Sequence, residues 1–327
     1  MLQFIIRRLL TAIVTIWVIS IMSFIIIQLP PGDFLTSYVA NLAQMGTTVT
    51  SDQVEIMRET YGLDQPFYVQ YLKWMSGVIR GDFGRSLEWQ QPVADLIWDR
   101  MGYSVLVGLS SILFVWSIAI PIGVFSATHK YSFMDYVSTF LGFLGLAIPD
   151  FLLALVLMWI AFSSFGQDVG GLFSPEFQDA PWSIDKFLNL ISHLWIPMIV
   201  VGTAGTAGLI RTMRANMLDE VNQPYVETAR AKGLSERRLI WKYPVRVALN
   251  PFVSTVGYAL PSLIGGVIIV SVVLNLPTIG PLLLRSLLTQ DMFLAGAIVL
   301  LLSSLTIIGT LLSDILLAIL DPRIRLE

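Results

Sequence analysis

Six apolar blocks alternate with polar connectors of unequal length, at about 9–29, 104–127, 137–165, 194–209, 252–274 and 293–320. An α-helix needs roughly 20 apolar residues to cross a hydrocarbon core of about 30 Å, and the blocks approach that length, the fourth being short at its apolar centre. The pattern predicts an all-α polytopic membrane protein with six transmembrane helices. Arg7 and Arg8 precede the first block, which ends at Pro30-Pro31-Gly32-Asp33. A signal peptide has an apolar core of about 7 to 15 residues and small residues at its cleavage site, so this longer run reads as a retained first span.

The connector at 32–102 is long and mixed in polarity, with helical periodicity at 51–61 and 65–78. Ser51 or Asp52 is placed to cap the first of these helices, with Glu55 near the third position as in a capping box. The expected organisation is residues 1–31 as N-terminus and first span, 32–102 as an external helical lobe, and 103–327 as a five-helix core carrying a cytoplasmic loop at 211–251. Gly81-Asp82-Phe83-Gly84-Arg85-Ser86 resembles a phosphate loop only superficially. It lacks the Gly-Lys-Ser/Thr ending that brings a lysine to the phosphates, so no nucleotide site is expected.

Composition agrees with the block pattern: 55% of the 327 residues are hydrophobic and 13% charged. The net charge of −3 matters less than the placement of the basic residues. Lys130, the cluster from Arg211 to Arg246, and Arg323 with Arg325 fall on one side of the alternating blocks, Lys186 and Arg285 on the other. Basic residues near span ends mark the cytoplasmic side, so both termini and the 211–251 loop are expected there, with the lobe outside. There is no cysteine, which excludes a thiolate nucleophile and cysteine-ligated zinc. His129 and His193 lie at different span ends, and no metal site is expected.

The 211–251 loop contains PYVETARAKGLSERRLIWKYPVRVALNP, a charged run between apolar blocks. Asn222 is placed to cap a helix opening on Pro224, with Glu227 near its positive end. Gly233 supplies a left-handed stop, Ser235 a second cap, and Pro244 an interruption. This helix–glycine–helix resembles the EAA loop of permease subunits in ATP-binding-cassette importers. The matching residues are Glu227, Thr228, Ala229, Arg230, Ala231, Lys232, Gly233 and Leu234, with Thr228 departing from the Glu-Ala-Ala opening. The distal half of the family pattern is only loosely echoed by Tyr243, Val245 and Arg246.

Further stretches resemble the dipeptide, oligopeptide and nickel branch of that family, and in particular its B-type subunit. They are IIRRLLTAIVTIWVISIMSFIIIQLPPGDF, YGLDQPFYVQYLKWMSGVIRGDFGRSL, the Ile148-Pro149 pair, LNLPTIGPLLLRSLLTQD and ILLAILDPRIR. The resemblance implies a permease subunit in a bacterial or archaeal plasma membrane, supplying half of a translocation path by alternating access. It implies a coupling helix in the loop between spans four and five, docked on an ATP-binding partner. The implied assembly is a homologous second permease, two ATP-binding subunits that hold the ATP and magnesium, and an external solute-binding protein. The chain itself would bind no cofactor and be no enzyme. Charge alone offers membrane lipids as the competing partner of Arg230, Lys232, Arg237 and Arg238, as for any basic stretch beside a membrane, while the resemblance favours docking and nucleic acid is not expected. Di- or oligopeptides lead as cargo, with oligosaccharides or nickel chelates as alternatives. An ion-coupled secondary transporter is the remote rival, and no internal repeat supports it.

Candidate path residues are Pro149, Asp150, Ser262, Ser271 and Asn275. A carboxylate such as Asp150 near the middle of a span normally faces a cavity or a partner. Stabilising a kink at Pro149 is its competing role, and interhelical hydrogen bonding is that of the polar residues in the fifth span. Asp314 is placed for a salt bridge to Arg211 or Arg214. Gly202, Gly205 and Gly208 suit close helix packing. Trp74, Trp89, Trp98 and Tyr71 suit interface anchoring or stacking on a sugar.

Overall fold

The structure is a computed structural model that describes residues 2–28, 35–36, 39, 50–61, 63–167, 170–254 and 268–320. Among these the chain is helical, and its β pairing is a single bridge between Arg85 and Pro92. The helices are α1 (Leu2–Gln28), α2 (Ser51–Tyr61), α3 (Phe67–Val78), α4 (Val93–Thr128), α5 (Phe133–Ala147), α6 (Asp150–Phe165) and α7 (Ile184–Val221). They continue with α8 (Pro224–Ala231), α9 (Glu236–Lys242), α10 (Pro244–Ala248), α11 (Ile268–Val273), α12 (Ile279–Leu288) and α13 (Met292–Leu320).

Among the described residues, three helices are each long and apolar enough to span a membrane: α4, α7 over Ile184–Thr203, and α13 over Met292–Leu316. In α1 the apolar stretch is Leu10–Ile26. The third expected span is corrected. Instead of one helix it is α5 and α6, bent by 101° where they meet. Ile148, forced into extended backbone ahead of a proline, has φ −87° and ψ 123°, and this breaks the helix. Pro121 and Pro197 lie inside continuous helices. Most of the fifth expected span, with Pro261, Ser262, Gly265 and Gly266, lies outside the described residues.

Two units can be described separately. The first comprises residues 1–104 and 278–307. Its centre is Phe24, fully buried among Phe67, Tyr71 and Trp74 with ring centroids 5.1 to 5.7 Å away. The Ser20 and Tyr71 hydroxyls hydrogen-bond at 2.7 Å, and the Trp74 indole donates to the Phe83 carbonyl. Tyr71 and Trp74 are therefore core residues rather than interface anchors or sugar platforms. At the start of α2 the Thr50 N–H donates to the Gln53 side chain, which is half of a capping box and sits ahead of the expected caps Ser51 or Asp52.

The 81–92 loop is folded around Asp291. This carboxylate accepts from the Ser86 hydroxyl at 2.5 Å, from the Glu88 N–H, and from the Leu294 N–H in the first turn of α13. Arg285 pairs with Glu88 at 2.6 Å and lies over the Trp89 ring. Within the motif that resembles a phosphate loop, Asp82 accepts from the Gly84 N–H, Arg85 donates to the Gln90 carbonyl and Ser86 is committed to Asp291.

The second unit comprises residues 105–277 and 308–327. Its spine is α7, against which α4, α5, α6, α10 and α11 pack. Close approach explains several glycines. A Cβ on Gly123 would lie 2.5 Å from Met213 Cβ, one on Gly202 2.7 Å from Phe114, and one on Gly145 2.9 Å from Thr203. At Gly205 such a contact would be an ordinary 3.8 Å, and at Gly208 a Cβ would meet nothing within 4 Å. Buried Lys186 holds the turn before α7, donating to the Gln178 and Ala180 carbonyls with its ammonium over the rings of Phe173 and Trp182.

Thermal unfolding in detergent is expected to separate the glycines. Gly123→Ala lowers stability by about 1 to 3 kcal/mol through overpacking, whereas Gly208→Ala is neutral or stabilising because alanine is the better helix former. Equal midpoints for the two would contradict the packing described. At Asp291, burial pushes the carboxyl above its ordinary value of 3.8, against the hydrogen bonds that favour its ionised form. A raised folded-state value means stability that is full below the unfolded value and lost as pH rises through the folded one. Asp291→Asn is expected to remove this component, so that stability of the unsubstituted protein falls relative to the variant as pH increases. Parallel pH profiles would show that Asp291 does not titrate in this way.

Candidate functional site

α7 continues beyond its membrane-crossing stretch as far as Val221. Asn222 is the C-cap of this helix and does not cap the next one. That role falls to Gln223, extended at φ −73° and ψ 146°, with Pro224 as the first helical residue of α8. Proline is pre-organised there and loses no hydrogen bond. α8 ends at Gly233, where φ is +80° and the N–H donates to the Arg230 carbonyl. Only glycine adopts that conformation freely, and the space around it is open, so a side chain is opposed by the backbone and not by a neighbour. Ser235 then stands at the N-cap of α9, extended and without a side-chain cap bond.

The elbow has its own small core. Val226, Ala229 and Leu239 are buried, with Tyr225, Leu234, Ile240 and Tyr243 packed around them. Val226 and Ala229 are three apart on α8 and so share a face. Of the predicted coupling residues, Ala229 and Leu234 are therefore packing residues. Glu227, Thr228, Arg230, Ala231, Lys232 and Gly233 are exposed, as are Arg237 and Arg238. Thr228 returns its hydroxyl to the Pro224 carbonyl. Arg230 spans the elbow to Glu236, with contacts of 2.6 and 3.3 Å. The guanidinium holds the Glu236 carboxyl below the ordinary carboxylate range. In full solvent such a pair fixes geometry more than it stabilises.

The next helix anchors the elbow. Val245 and Ala248 of α10 are buried against Met213 and Met217 of α7, Ala119, Val124 and Ala127 of α4, and Phe252. A charged, solvent-facing double helix is thereby mounted on an apolar base.

The predicted path residues occupy separate places. Pro149 and Asp150 lie at the break between α5 and α6, with Pro149 exposed and Asp150 half-buried in the first turn of α6. Asp150 is thus at a helix N-terminus, whose dipole favours a carboxylate. Ser271 is buried in α11, which packs on α6 and α7. Asn275 is not on the fifth helix but just beyond α11, exposed and left-handed at φ +50°. Ser262 lies outside the described residues.

One pair escaped the sequence reading. Asp135, buried in the first turn of α5, receives both Nε and Nη2 of Arg214 on α7 at 2.8 Å, together with the Tyr131 N–H. Arg214 is therefore engaged by Asp135, and Arg211 lies over the Phe143 ring at 4.9 Å. The only hint in the sequence was Ser132, whose hydroxyl caps the Asp135 N–H. No cluster of metal-ligating side chains occurs among the described residues.

A family model described as "binding-protein-dependent transport system inner membrane component" matches residues 119–326, and its N-terminal counterpart matches residues 1–108. The chain belongs to this family. It is a multi-pass membrane component of a binding-protein-dependent transport system. The chain is 39% identical to the oligopeptide transport system permease protein AppB of Bacillus subtilis, over 99% of its own length and all of that protein. It is 32% identical to a putative peptide permease of Brucella suis and 31% identical to the glutathione transport system permease protein GsiC of Escherichia coli, each over 99% of both chains.

For this permease, truncating the elbow's core is expected to loosen the elbow without unfolding the membrane helices. Leu239→Ala costs about 2 to 5 kcal/mol locally. Limited proteolysis should then cut between Val221 and Pro244 much faster than in the Arg237→Ala control, whose side chain is exposed. Equal cleavage rates would mean that Leu239 does not hold α8 to α9.

Proposed function

We propose that this chain is the permease subunit of an ATP-driven peptide importer, forming half of a translocation path for di- or oligopeptides. The observation that carries the reading is the exposed α8–Gly233–α9 elbow on its buried apolar base, in a chain related end to end to proteins named as peptide and glutathione permeases. In this reading the elbow is the coupling element, docked through Glu227, Arg230, Lys232 and the exposed arginines of α9. The expected complex is this chain, a homologous second permease, two ATP-binding subunits in which ATP is hydrolysed with magnesium, and an external solute-binding protein. Both termini and the elbow are cytoplasmic, and residues 32–102 face outward.

The α5–α6 break supports a role in the path. A helix broken at Pro149 offers free backbone groups and a carboxylate, which the membrane tolerates only where protein or water satisfies them. Asp150 would meet the amino group of a peptide there, while Ser271 contributes from α11. Closure of the ATP-binding subunits moves the elbows, and the helices on which they are mounted convert that movement into alternating access.

The test is transport by the complex reconstituted in vesicles with its binding protein. Peptide uptake is expected to need ATP, and Gly233→Val should reduce uptake per ATP hydrolysed by about tenfold, the scale of a typical coupling between sites. Asp150→Asn should weaken transport of peptides with a free amino terminus relative to blocked ones. Uptake driven by an ion gradient without ATP would overturn the proposal. Uptake of a sugar or a nickel chelate in place of peptides would overturn the cargo alone.

A further inference from the structure

The helix that carries the elbow is also bound, along its length, to the helix that leads to the break. Near the elbow, Asp135 of α5 holds Arg214 of α7 by two parallel contacts of 2.8 Å. Further along, Gly142 of α5 faces Ala207, where a Cβ would come within 3.7 Å, and Gly145 faces Thr203, where it would come within 2.9 Å. These pairings step in opposite directions along the two helices, so α5 and α7 form an antiparallel seam in one register. Three residues past Gly145, at Ile148, α5 ends and the chain turns into Pro149 and Asp150.

We infer that the Asp135–Arg214 pair is a strut that makes α5 move with the coupling elbow, so that elbow displacement reaches the Pro149–Asp150 break. The inference rests on the importer reading above. Three features suit the pair to this work. Arg214 lies between Met213 and Met217, both fully buried and packed on α10, so its backbone is held by the base of the elbow. The carboxylate side is held as well: Asp135 is buried, accepts the Tyr131 N–H at 3.0 Å, and has its own N–H capped by Ser132. A guanidinium and a carboxylate meeting through two parallel bonds resist rotation as well as separation, which a point charge such as lysine does not. From Asp135 to the end of α5 is about 20 Å at 1.5 Å per residue, long enough to act as a lever.

The alternative is a pair that only stabilises the fold, and the two roles give different signatures. In the full reconstituted complex, Arg214→Lys and Asp135→Asn are expected to keep hydrolysing ATP while uptake per ATP falls about tenfold. Exchange of the charges, Asp135→Arg with Arg214→Asp, should recover most of the lost coupling. Uptake per ATP that stays at the unsubstituted value in both single variants would overturn the strut. So would uptake and hydrolysis that fall together in proportion to the amount of complex assembled.

A second measurement leaves the pair intact, which covers the case in which its variants fail to fold. The chain contains no cysteine, so single labels can be placed at the exposed positions Tyr136 and Arg237 without background from this subunit. The distance between spin labels at Tyr136→Cys and Arg237→Cys should be the same in the resting and ATP-trapped complex. A change of about 5 Å, roughly one helical turn, would overturn the proposal. Failure of the unsubstituted complex to import with ATP would strike at the importer reading itself, and is distinguished by that control alone.

Discussion

Helices in hydrocarbon gain little by hiding apolar surface from one another, because the lipid is as apolar as they are. What holds α4 and α5 to α7 must therefore be close backbone approach and satisfied polar contact, and the second unit supplies both. Gly123 and Gly202 bring α4 to within side-chain contact of α7, and Gly145 does the same for α5. The Asp135–Arg214 pair adds a charged contact at the end of the seam. The rest of this unit depends on that arrangement. α10 can seat Val245 and Ala248 only because Met213 and Met217 of α7 are already fixed against α4, and α8 and α9 are positioned in turn by α10.

The elbow resolves a conflict between two demands on one short segment. It must present charge to solvent, yet two short helices have too few hydrogen bonds to persist alone. The division of faces answers this: Val226, Ala229 and Leu239 form a miniature core while Glu227, Arg230 and Lys232 point away from it. Ala229 shows the constraint most clearly. Leu239 and its neighbours fill the space beside it, so the small residue at the centre of the motif is required by packing even though its neighbours in sequence are exposed. A motif of this kind mixes residues offered to solvent with residues that shape it, and only burial separates them.

Legibility in the sequence followed the range of the signals. Glycine and proline act locally, so the α8–Gly233–α9 elbow and the interruption at Pro244 were readable from the residues themselves. The membrane class was readable too, because hydropathy sums over whole blocks. Direction was not. Hydropathy averaged across 137–165 is the same for a straight span and for two helices at 101°, although the Ile148-Pro149 pair carried the local cause of the break. Long-range polar partners were hidden for a different reason. Asp135 and Arg214 are 79 residues apart, and Ser86 and Asp291 are 205 apart. Locally each aspartate signals no more than the start of a helix. Tyr71 and Trp74 were misread for the same reason: amphipathic aromatics suit an interface, and only the position of Phe24 places them in a core.

The break and the elbow acquire meaning together. A bend of 101° leaves the ends of α5 and α6 without the intrahelical partners that a continuous helix would have, a cost a membrane protein does not carry without compensation. α5 and α6 both pack on α7, the same helix whose far end carries the elbow. A continuous third span could respond to movement of α7 only by sliding or tilting as a whole. Two shorter helices joined at a proline can respond separately, each following the face of α7 that it touches. In the proposed importer, breaking the span would turn one rigid element into two that a moving α7 drives apart, as alternating access requires of the walls of its path.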